Sequence, residues 1–359
     1  MSTQSQSTSG PYRPTTWALG GVPKKNIDIP VTAIFLCLYM LGAATHMTIF
    51  QYNKRRGHKF LFNGMIFVLS TAQQLRGQDQ LVGSTFIPSI PPASYAHLLP
   101  GFCMARITTC TLRIASISLP TNIRLAIAAQ IFVAAGILLI FIINLIWSQR
   151  ILRAHHPLGW HPSLRWVFNA LYAVVVFTLA ILITSVVQSF YTLRPRTRNI
   201  DRALQLYGAT LFAVVAFLPI PIVALALVLS RASKRKVETF GQGRHRTKMA
   251  VLMAGAALCC LGASYRAGVF WMRPVPHSQP EPARFHRGWF YFMNFGLEIL
   301  VLYLYAIMRV DLRFHIPDGA KGPGSYRAAG KSEGDVVAVE SVRAQVTRDS
   351  EEEPKEEEV

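Results

Sequence analysis

Residues 125–147 read LAIAAQIFVAAGILLIFIINLIW, an apolar run without a charged side chain. A helix needs about 20 mostly apolar residues to cross a bilayer, because a rise of about 1.5 Å per residue must cover about 30 Å of hydrocarbon. The run is longer than an ordinary core helix, and it lacks the apolar-polar alternation of an outer-membrane β-strand. It therefore predicts a transmembrane α-helix.

Five further segments have the same character. They are residues 31–50, 167–190, 204–229, 250–271 and 289–310. The composition, 51% hydrophobic and only 15% charged, is typical of a chain whose main solvent is lipid. The sequence therefore predicts an all-α, polytopic integral membrane protein.

A further span is interrupted. Residues 60–67 (FLFNGMIF) are too short to cross, and residues 101–119 (GFCMARITTCTLRIASISL) are apolar but carry two arginines. The segment 68–100 between them is polar and Pro-rich, whereas joining its two flanks gives one span of acceptable length. We predict a seven-helix transmembrane domain over 31–310, with 68–100 as an insertion or a retained intron within helix 2. A genuine extracellular or re-entrant hairpin is the alternative.

The charge divides the chain into two parts. The formal net charge is +19 and the pI about 10.2, yet 12 of the 18 acidic residues lie at or beyond residue 311. Residues 1–30 form a short polar N-terminal segment, whereas 311–359 lose the apolar character and end in runs of Glu. We therefore expect a disordered acidic tail after a strongly basic membrane domain.

The basic residues of the short loops orient the domain. The fifth connection is the strongest block, with Arg231, Lys234, Arg235, Lys236, Arg244, Arg246 and Lys248. The positive-inside rule places this loop and the C-terminus in the cytoplasm and the N-terminus outside. Anionic inner-leaflet lipid attracts each such residue by about 1 kcal/mol, which explains the block without nucleic acid. The loop also lies where a seven-span receptor would bind a G protein. We expect the protein to reside in the plasma membrane rather than in an internal membrane.

Polar residues inside the spans mark the candidate ligand or switch site. A charge at mid-bilayer costs about 2.5–3.5 kcal/mol on an insertion scale, so Arg106, Arg113, Arg266 and Glu298 should pair inside the bundle, together with Asn294. Glu298 paired with Arg266 or Arg106 predicts either a clamp that holds the bundle together or a switch at a polar ligand site.

Helix-breaking and small residues give weaker signals. Pro219 and Pro221 predict a kink in the fifth span, which either lines a cavity or is a routine feature of a membrane helix. Gly255 and Gly262 in the sixth span predict close helix packing.

Enzyme, metal and cofactor chemistry is not indicated. The sequence contains no nucleophile elbow, P-loop, dinucleotide fingerprint or metalloprotease helix. His155, His156 and His161 share a loop, but no Cys or carboxylate joins them to complete a zinc site. We therefore expect a protein that is not an enzyme and that holds neither a metal nor a cofactor.

Several stretches together resemble a fungal protein family. They are 101–115 (GFCMARITTCTLRIA) with 119–139 (LPTNIRLAIAAQIFVAAGILL), 144–162 (NLIWSQRILRAHHPLGWHP), and 265–271 (YRAGVFW) with 290–319 (FYFMNFGLEILVLYLYAIMRVDLRFHIPDG). The family comprises uncharacterised seven-span membrane proteins, catalogued as a domain of unknown function and sometimes labelled family C-like G-protein-coupled receptors. The resemblance implies seven spans and a second span without an insert, but it brings no ligand or catalytic residues.

We therefore predict receptor-like sensing or signalling at a fungal membrane, with a small or lipidic ligand in the bundle acting on the fifth connection. A transporter or lipid-handling protein that uses the arginines and Glu298 is one alternative. A membrane scaffold without a small ligand is another.

Overall fold

The computed structural model describes residues 11–12, 14–55, 98–233, 237–316 and 322–326. Within these ranges the chain is helical and forms no β-sheet, apart from an isolated antiparallel bridge between Thr16 and Pro276. Residues 60–67 and 68–97, which belong to the interrupted second span and its predicted insertion, lie outside the described part.

Seven long helices and a short one make up most of the described chain. In chain order they are α1 (Lys25–Arg55), α2 (Leu98–Ser118), α3 (Ile123–His155), α4 (Pro162–Tyr191), α5 (Pro195–Ser233), α6 (His245–Trp271), α7 (Arg287–Ile307) and α8 (Val310–Arg313).

Three of the long helices are interrupted. The α-helical ladder of α3 breaks at Ile137, and that of α5 breaks at Leu218, directly before Pro219, which has no N–H to donate. Helix α7 contains a π-helical turn over Phe292–Gly296. Pro219 is buried and Pro221 is exposed.

Six of these helices, α1 and α3 to α7, are long and apolar enough to cross a membrane, and each overlaps one of the six clear predicted spans. This confirms the prediction of a multi-pass membrane protein. Helix α2 has 21 residues but is not among the six, because two arginines and several polar residues lower its hydropathy. It begins at Leu98, within the predicted insertion 68–100.

The C-terminal boundary differs from the prediction. The last span was expected to reach residue 310, but α7 ends at Ile307 because Arg309 adopts a left-handed backbone conformation with φ of 46°. Residues 311–316 and 322–326, expected to belong to a disordered tail, pack against the bundle instead. Phe314 and Tyr326 are each 2% exposed.

The outer surface of the bundle is strongly apolar. Ile307 is 76% exposed, Trp166 74% and Phe177 68%. Soluble proteins rarely expose large apolar patches, so this surface suits contact with lipid chains.

The centre of the bundle is formed by the second half of α3. Its residues from Ile140 to Leu152 are almost all buried, including the polar side chains of Asn144, Ser148 and Arg150. Helices α6 and α7 pack closely beside it. A Cβ atom on Gly262 would lie 2.8 Å from the carbonyl oxygen of Met293, so a larger residue would force the two helices apart.

Candidate functional site

The carboxylate of Glu298 is the centre of a buried ion-pair cluster. Glu298 lies just after the π-helical turn of α7 and is 1% exposed. Nη2 of Arg106, on α2, lies 2.6 Å from its Oε1 atom, and Arg106 is fully buried. A charge removed from water is tolerated only when it is paired and hydrogen-bonded, so each of these two residues depends on the other.

Two more helices contribute to the same carboxylate. The Tyr39 hydroxyl of α1 donates to Oε2 of Glu298 at 3.2 Å and also lies 3.3 Å from the carbonyl oxygen of Phe295. Nη2 of Arg266, on α6, lies 3.6 Å from Oε1. One carboxylate therefore connects α1, α2, α6 and α7, with Arg106 as the short contact and Arg266 as the longer one.

The interruption of α3 gives Arg106 its second set of partners. At the break, the N–H of Ile137 is directed to the carbonyl oxygen of Ala135, two residues earlier, and not to the residue four positions earlier as in a regular α-helix. Nη1 of Arg106 donates to the carbonyl oxygens of Phe132 and Val133, at 3.3 and 3.1 Å. A side chain thus takes up backbone acceptors near the break, which a membrane interior otherwise leaves unsatisfied.

Gly136 makes room for this contact. A Cβ atom at this position would lie 3.0 Å from both Cζ and Nη1 of Arg106. A larger residue would therefore push the guanidinium away from α3 and from Glu298.

The cluster keeps unused hydrogen-bond capacity. Within the described part of the chain, Nε of Arg106 and both Nε and Nη2 of Arg266 have no hydrogen-bond partner. Asn294 donates to the carbonyl oxygen of Phe290 at 2.8 Å, but its Oδ1 atom has no partner there. Two guanidiniums face one carboxylate, so the cluster carries excess positive charge and spare donors.

A cavity of about 620 Å³ lies beside the cluster. Both Arg266 and Asn294 line it, as do apolar residues of α3, α4 and α5. The N-terminal segment, residues 12 and 14–23, borders it at the end of the bundle where α1 and α5 begin. This segment is held by the N–H of Trp17, which donates to the carbonyl oxygen of Val275 at 2.9 Å, and by that of Tyr12, which donates to Phe190 at 2.7 Å. Pro219 and Pro221 are not among the lining residues.

Arg113 belongs to a separate polar layer. Its guanidinium stacks on Phe290, with Cζ 4.3 Å from the ring centroid, and its Nε donates to the Tyr291 hydroxyl at 3.3 Å. That hydroxyl donates in turn to Oδ1 of Asp28 at 2.9 Å, and Nε of Arg287 lies 3.3 Å from Oδ2. Arg113 also lines the cavity.

Sequence reasoning missed Asp28, Tyr39 and Tyr291. Asp28 is fully buried at the start of α1, and the only signal for it was its position as one of six acidic residues before residue 311. A single tyrosine in an apolar span gives no such signal, because its hydroxyl becomes informative only once its partner is known.

The predicted basic loop is divided by the structure. Lys234, Arg235 and Lys236 lie outside the described residues, and Arg231, Arg244 and Arg246 are exposed. Lys248 departs from the expectation of a surface cation, because it is 1% exposed. Its Nζ donates to the carbonyl oxygen of Phe240 and lies 4.4 Å from the centroid of that ring.

The same end of the bundle holds the C-terminal contacts. Phe314 stacks on Trp147 of α3 with ring centroids 4.6 Å apart, and Arg150 donates to the carbonyl oxygen of Phe314. Tyr326 packs between Trp160 and Phe240, at centroid distances of 5.2 and 5.7 Å. Burial raises the pKa of the Tyr326 hydroxyl, so this side chain is neutral at physiological pH.

Comparison with known proteins links the chain to a family without an assigned function. A family model described as "Protein of unknown function (DUF3112)" matches residues 236–315, which include α6, α7, Arg266, Asn294 and Glu298. The match supports similarity to an uncharacterised family. No curated protein and no solved structure matches the chain.

Proposed function

We propose that the chain is a seven-span, receptor-like membrane protein in which a ligand in the cavity acts on the Glu298 cluster. The observation that carries the proposal is the double position of Arg266, which lines the cavity and lies 3.6 Å from Glu298. A ligand that engages the free donors of Arg266 would weaken the longer contact between Arg266 and Glu298. The 2.6 Å contact between Arg106 and Glu298 would remain. Such a ligand would favour one arrangement of α6 against α7 over another.

Helix α2 is the proposed seventh span. Asp28 of α1 and Arg113 of α2 meet through Tyr291, and further along Tyr39 packs edge-on against Phe102 at 6.0 Å. The start of α1 therefore lies beside the later part of α2, and the middle of α1 lies beside the earlier part of α2. The two helices thus run antiparallel through the bundle. The buried partners of its two arginines explain how a helix of low hydropathy is accommodated there.

The fifth connection and its surroundings are the proposed output. From Glu298, α7 continues to Tyr305, whose hydroxyl donates to Oδ1 of Asn144 at 2.5 Å and whose ring lies edge-on to Trp147 at 5.0 Å. Trp147 stacks on Phe314, which lies 6.4 Å from Phe240 of the fifth connection. This continuous series of contacts is the proposed route by which the Glu298 cluster is coupled to the fifth connection. Mutations along the series can test it.

The topology and location complete the proposal. The positive-inside bias supports an outside N-terminus and a cytoplasmic fifth connection. The plasma membrane is the proposed location, as a receptor for an external signal requires. Anionic lipid at Arg231, Arg244 and Arg246 and a G protein as transducer are the proposed cytoplasmic partners, and the resembling motifs support a fungal seven-span family.

The experiment compares wild type with Glu298→Gln in lipid nanodiscs. We measure guanine-nucleotide exchange on an added G-protein α subunit, with and without a lipid extract of the host cells. A receptor shows exchange that depends on the extract in wild type and is altered in folded Glu298→Gln protein, compared at equal amounts of reconstituted protein. Glu281→Gln, a change at an exposed carboxylate in the loop before α7, is the matched control and should behave as wild type.

Two results would contradict the receptor role. Transmembrane flux of lipid in reconstituted vesicles, without nucleotide exchange, would indicate the transporter or lipid-handling alternative. Loss of surface delivery in Glu298→Gln, with no effect of the extract on wild type, would instead indicate a structural clamp in a scaffold.

A further inference from the structure

We propose that the cavity binds a single-chain amphiphile whose headgroup is an anion, either a carboxylate or a phosphate. The proposal rests on the function given above and deepens it by naming the class of ligand. It is carried by the charges that line the cavity, by their partners and by the apolar residues that also line it.

The charged residues of the lining all have the same sign. They are Arg113, Arg198, Arg202, Arg266 and Arg273, and no Asp or Glu is among the described residues that line the cavity. Like charges gathered beside a low-dielectric membrane interior repel one another, because water screens them poorly there. A bound anion would offset this repulsion.

Two of these arginines form a fixed pair. Arg198 and Arg202 lie four residues apart on α5, which places them on one face, where two like charges destabilise a helix. Nε of Arg198 donates to the carbonyl oxygen of Thr192 at 3.0 Å, and Nη2 of Arg202 donates to that of Met272 at 3.0 Å. A guanidinium has five N–H donors, so these contacts orient both side chains and leave donors for a headgroup.

Among the described residues, the acidic residue between them is not an ion-pair partner of either arginine. Asp201 is 1% exposed, and neither of its carboxylate oxygens has a hydrogen-bond partner within the described part of the chain. It forms no ion pair with Arg198 or Arg202 there and does not line the cavity.

The position of the arginines suits a headgroup. Arg198 and Arg202 lie within the first eight residues of α5, and Arg273 lies two residues after Trp271, the last residue of α6. These helix ends are where a membrane-spanning bundle reaches the interface with water. An amphiphile of the bilayer has its charged group at this depth, so it can reach the arginines without carrying its charge through hydrocarbon.

The apolar part of the lining suits an apolar chain. It includes Leu179, Ile183 and Val186 on α4 and Phe141 on α3. The volume of about 620 Å³ lies within the range of about 300–1,000 Å³ found for small-molecule sites. This is room for one acyl chain with its headgroup.

The first part of the test is a ligand series on the wild-type full-length protein in phosphatidylcholine nanodiscs. Oleate and 1-oleoyl-lysophosphatidate carry the two anionic headgroups, and oleyl alcohol has a similar chain without charge. We expect the tighter of the two anions to bind at least about tenfold better than the alcohol, as the loss of one charge-assisted hydrogen bond implies. The comparison of the two anions distinguishes a carboxylate source from a phosphate source. Equal affinity for the alcohol would overturn the proposal.

The second part locates the headgroup. The double variant Arg198→Gln/Arg202→Gln should bind the anion at least about tenfold more weakly, and Arg198→Lys/Arg202→Lys should recover part of this loss. Arg124→Gln is the matched control, because Arg124 is an exposed arginine at the start of α3, at the same end of the bundle, and does not line the cavity. The same loss in Arg124→Gln would show a diffuse charge effect and would overturn the proposal.

A third measurement does not depend on the folding of a variant. Oleate with a diazirine in its chain should label the Leu179 and Ile183 side chains of α4, assigned residue by residue from fragment ions, and excess oleate should prevent the labelling. Labelling that excess oleate does not prevent, or that is confined to the lipid-facing surface around Phe177, would contradict the assignment.

The ligand class and the receptor role can fail separately. Binding that depends on Arg198 and Arg202, without any nucleotide exchange on a G-protein α subunit, would retain the ligand class and reject the receptor role. Exchange stimulated by a neutral fraction of the lipid extract, together with weak anion binding, would retain the receptor role and reject the ligand class.

Discussion

Arg106 and Glu298 are separated by 192 positions in the chain, yet Nη2 of Arg106 lies 2.6 Å from Oε1 of Glu298 in a site closed to solvent. The contact joins α2 to α7, and α2 is the long helix of the described chain that is not among the six apolar enough to cross a membrane. Each of the two charges stabilises the other, because removal of either residue would leave the remaining charge in the bundle without its partner at short distance.

The first prediction concerns this pair. Arg106→Gln should lower the free energy of unfolding by about 3–5 kcal/mol, since it leaves the Glu298 carboxylate with the neutral Tyr39 hydroxyl at 3.2 Å and with Arg266, its remaining charged partner, at 3.6 Å. In Arg106→Gln/Glu298→Gln the loss should be clearly smaller than the sum of the two single losses, because no unpaired carboxylate remains. Thermal unfolding in detergent measures both values, and strictly additive losses would contradict a coupled pair.

The second prediction concerns Gly136. Gly136→Ala should destabilise the protein although alanine favours helices, because the new methyl group would lie 3.0 Å from the Arg106 guanidinium. Gly268→Ala is the control, since a Cβ atom on Gly268, also in a helix, meets nothing within 4 Å. That control should be neutral or stabilising by up to about 1 kcal/mol. Equal melting temperatures for the two variants would show that Arg106 moves without cost.

The third prediction concerns the polar layer around Asp28. Tyr291→Phe removes the hydroxyl that joins Arg113 to Asp28 and should cost about 1–3 kcal/mol, the penalty for a buried polar group that loses its partner. Tyr207→Phe, at a tyrosine of α5 that is 51% exposed, should change the unfolding free energy by less than about 0.5 kcal/mol. A similar small effect for Tyr291→Phe would mean that the layer contributes little to stability.

The fourth prediction concerns the gene product. If 68–100 is a retained intron, sequencing of mature transcripts should show the codon of Phe67 joined to that of Gly101 in the dominant species. The joined chain would place Met65, Ile66 and Phe67 before Gly101, where Leu98, Leu99 and Pro100 now begin α2. Apolar residues would thus replace apolar residues at the helix start. A dominant transcript that keeps the segment would establish it as part of the protein.

Much of the fold could be predicted because a membrane span is a local property of sequence. Each of the six clear spans needs only its own apolar residues, and all six lie in helices. The charged members of the cluster were also predictable, since Arg106, Arg266 and Glu298 are conspicuous in apolar surroundings. Both alternatives for the partner of Glu298 proved relevant, with Arg106 close and Arg266 further away.

The remaining features depend on contacts between distant segments. Val133 offers its carbonyl to Arg106 only because α3 breaks at Ile137, and neither residue has an unusual side chain. Lys248 belongs by sequence to a basic loop, but its carbon chain and ammonium group pack on Phe240, so composition alone misjudged its exposure. Arg198 and Arg202 lie just before the predicted span 204–229, so the sequence did not mark them as site residues. Their role depends on α4 and α6, which lie beside them.

The docking of Tyr326 has a consequence for any cytoplasmic partner. Tyr326 lies on Phe240, and the N–H of Gly324 donates to Oε1 of Glu238 at 2.7 Å, so the C-terminal segment already occupies part of the fifth connection. A segment joined to its own binding site by a short stretch of chain competes at an effective concentration on the order of millimolar. A partner for this face must therefore displace a tethered competitor. An isolated peptide of the loop would overstate the affinity of that partner for the whole protein.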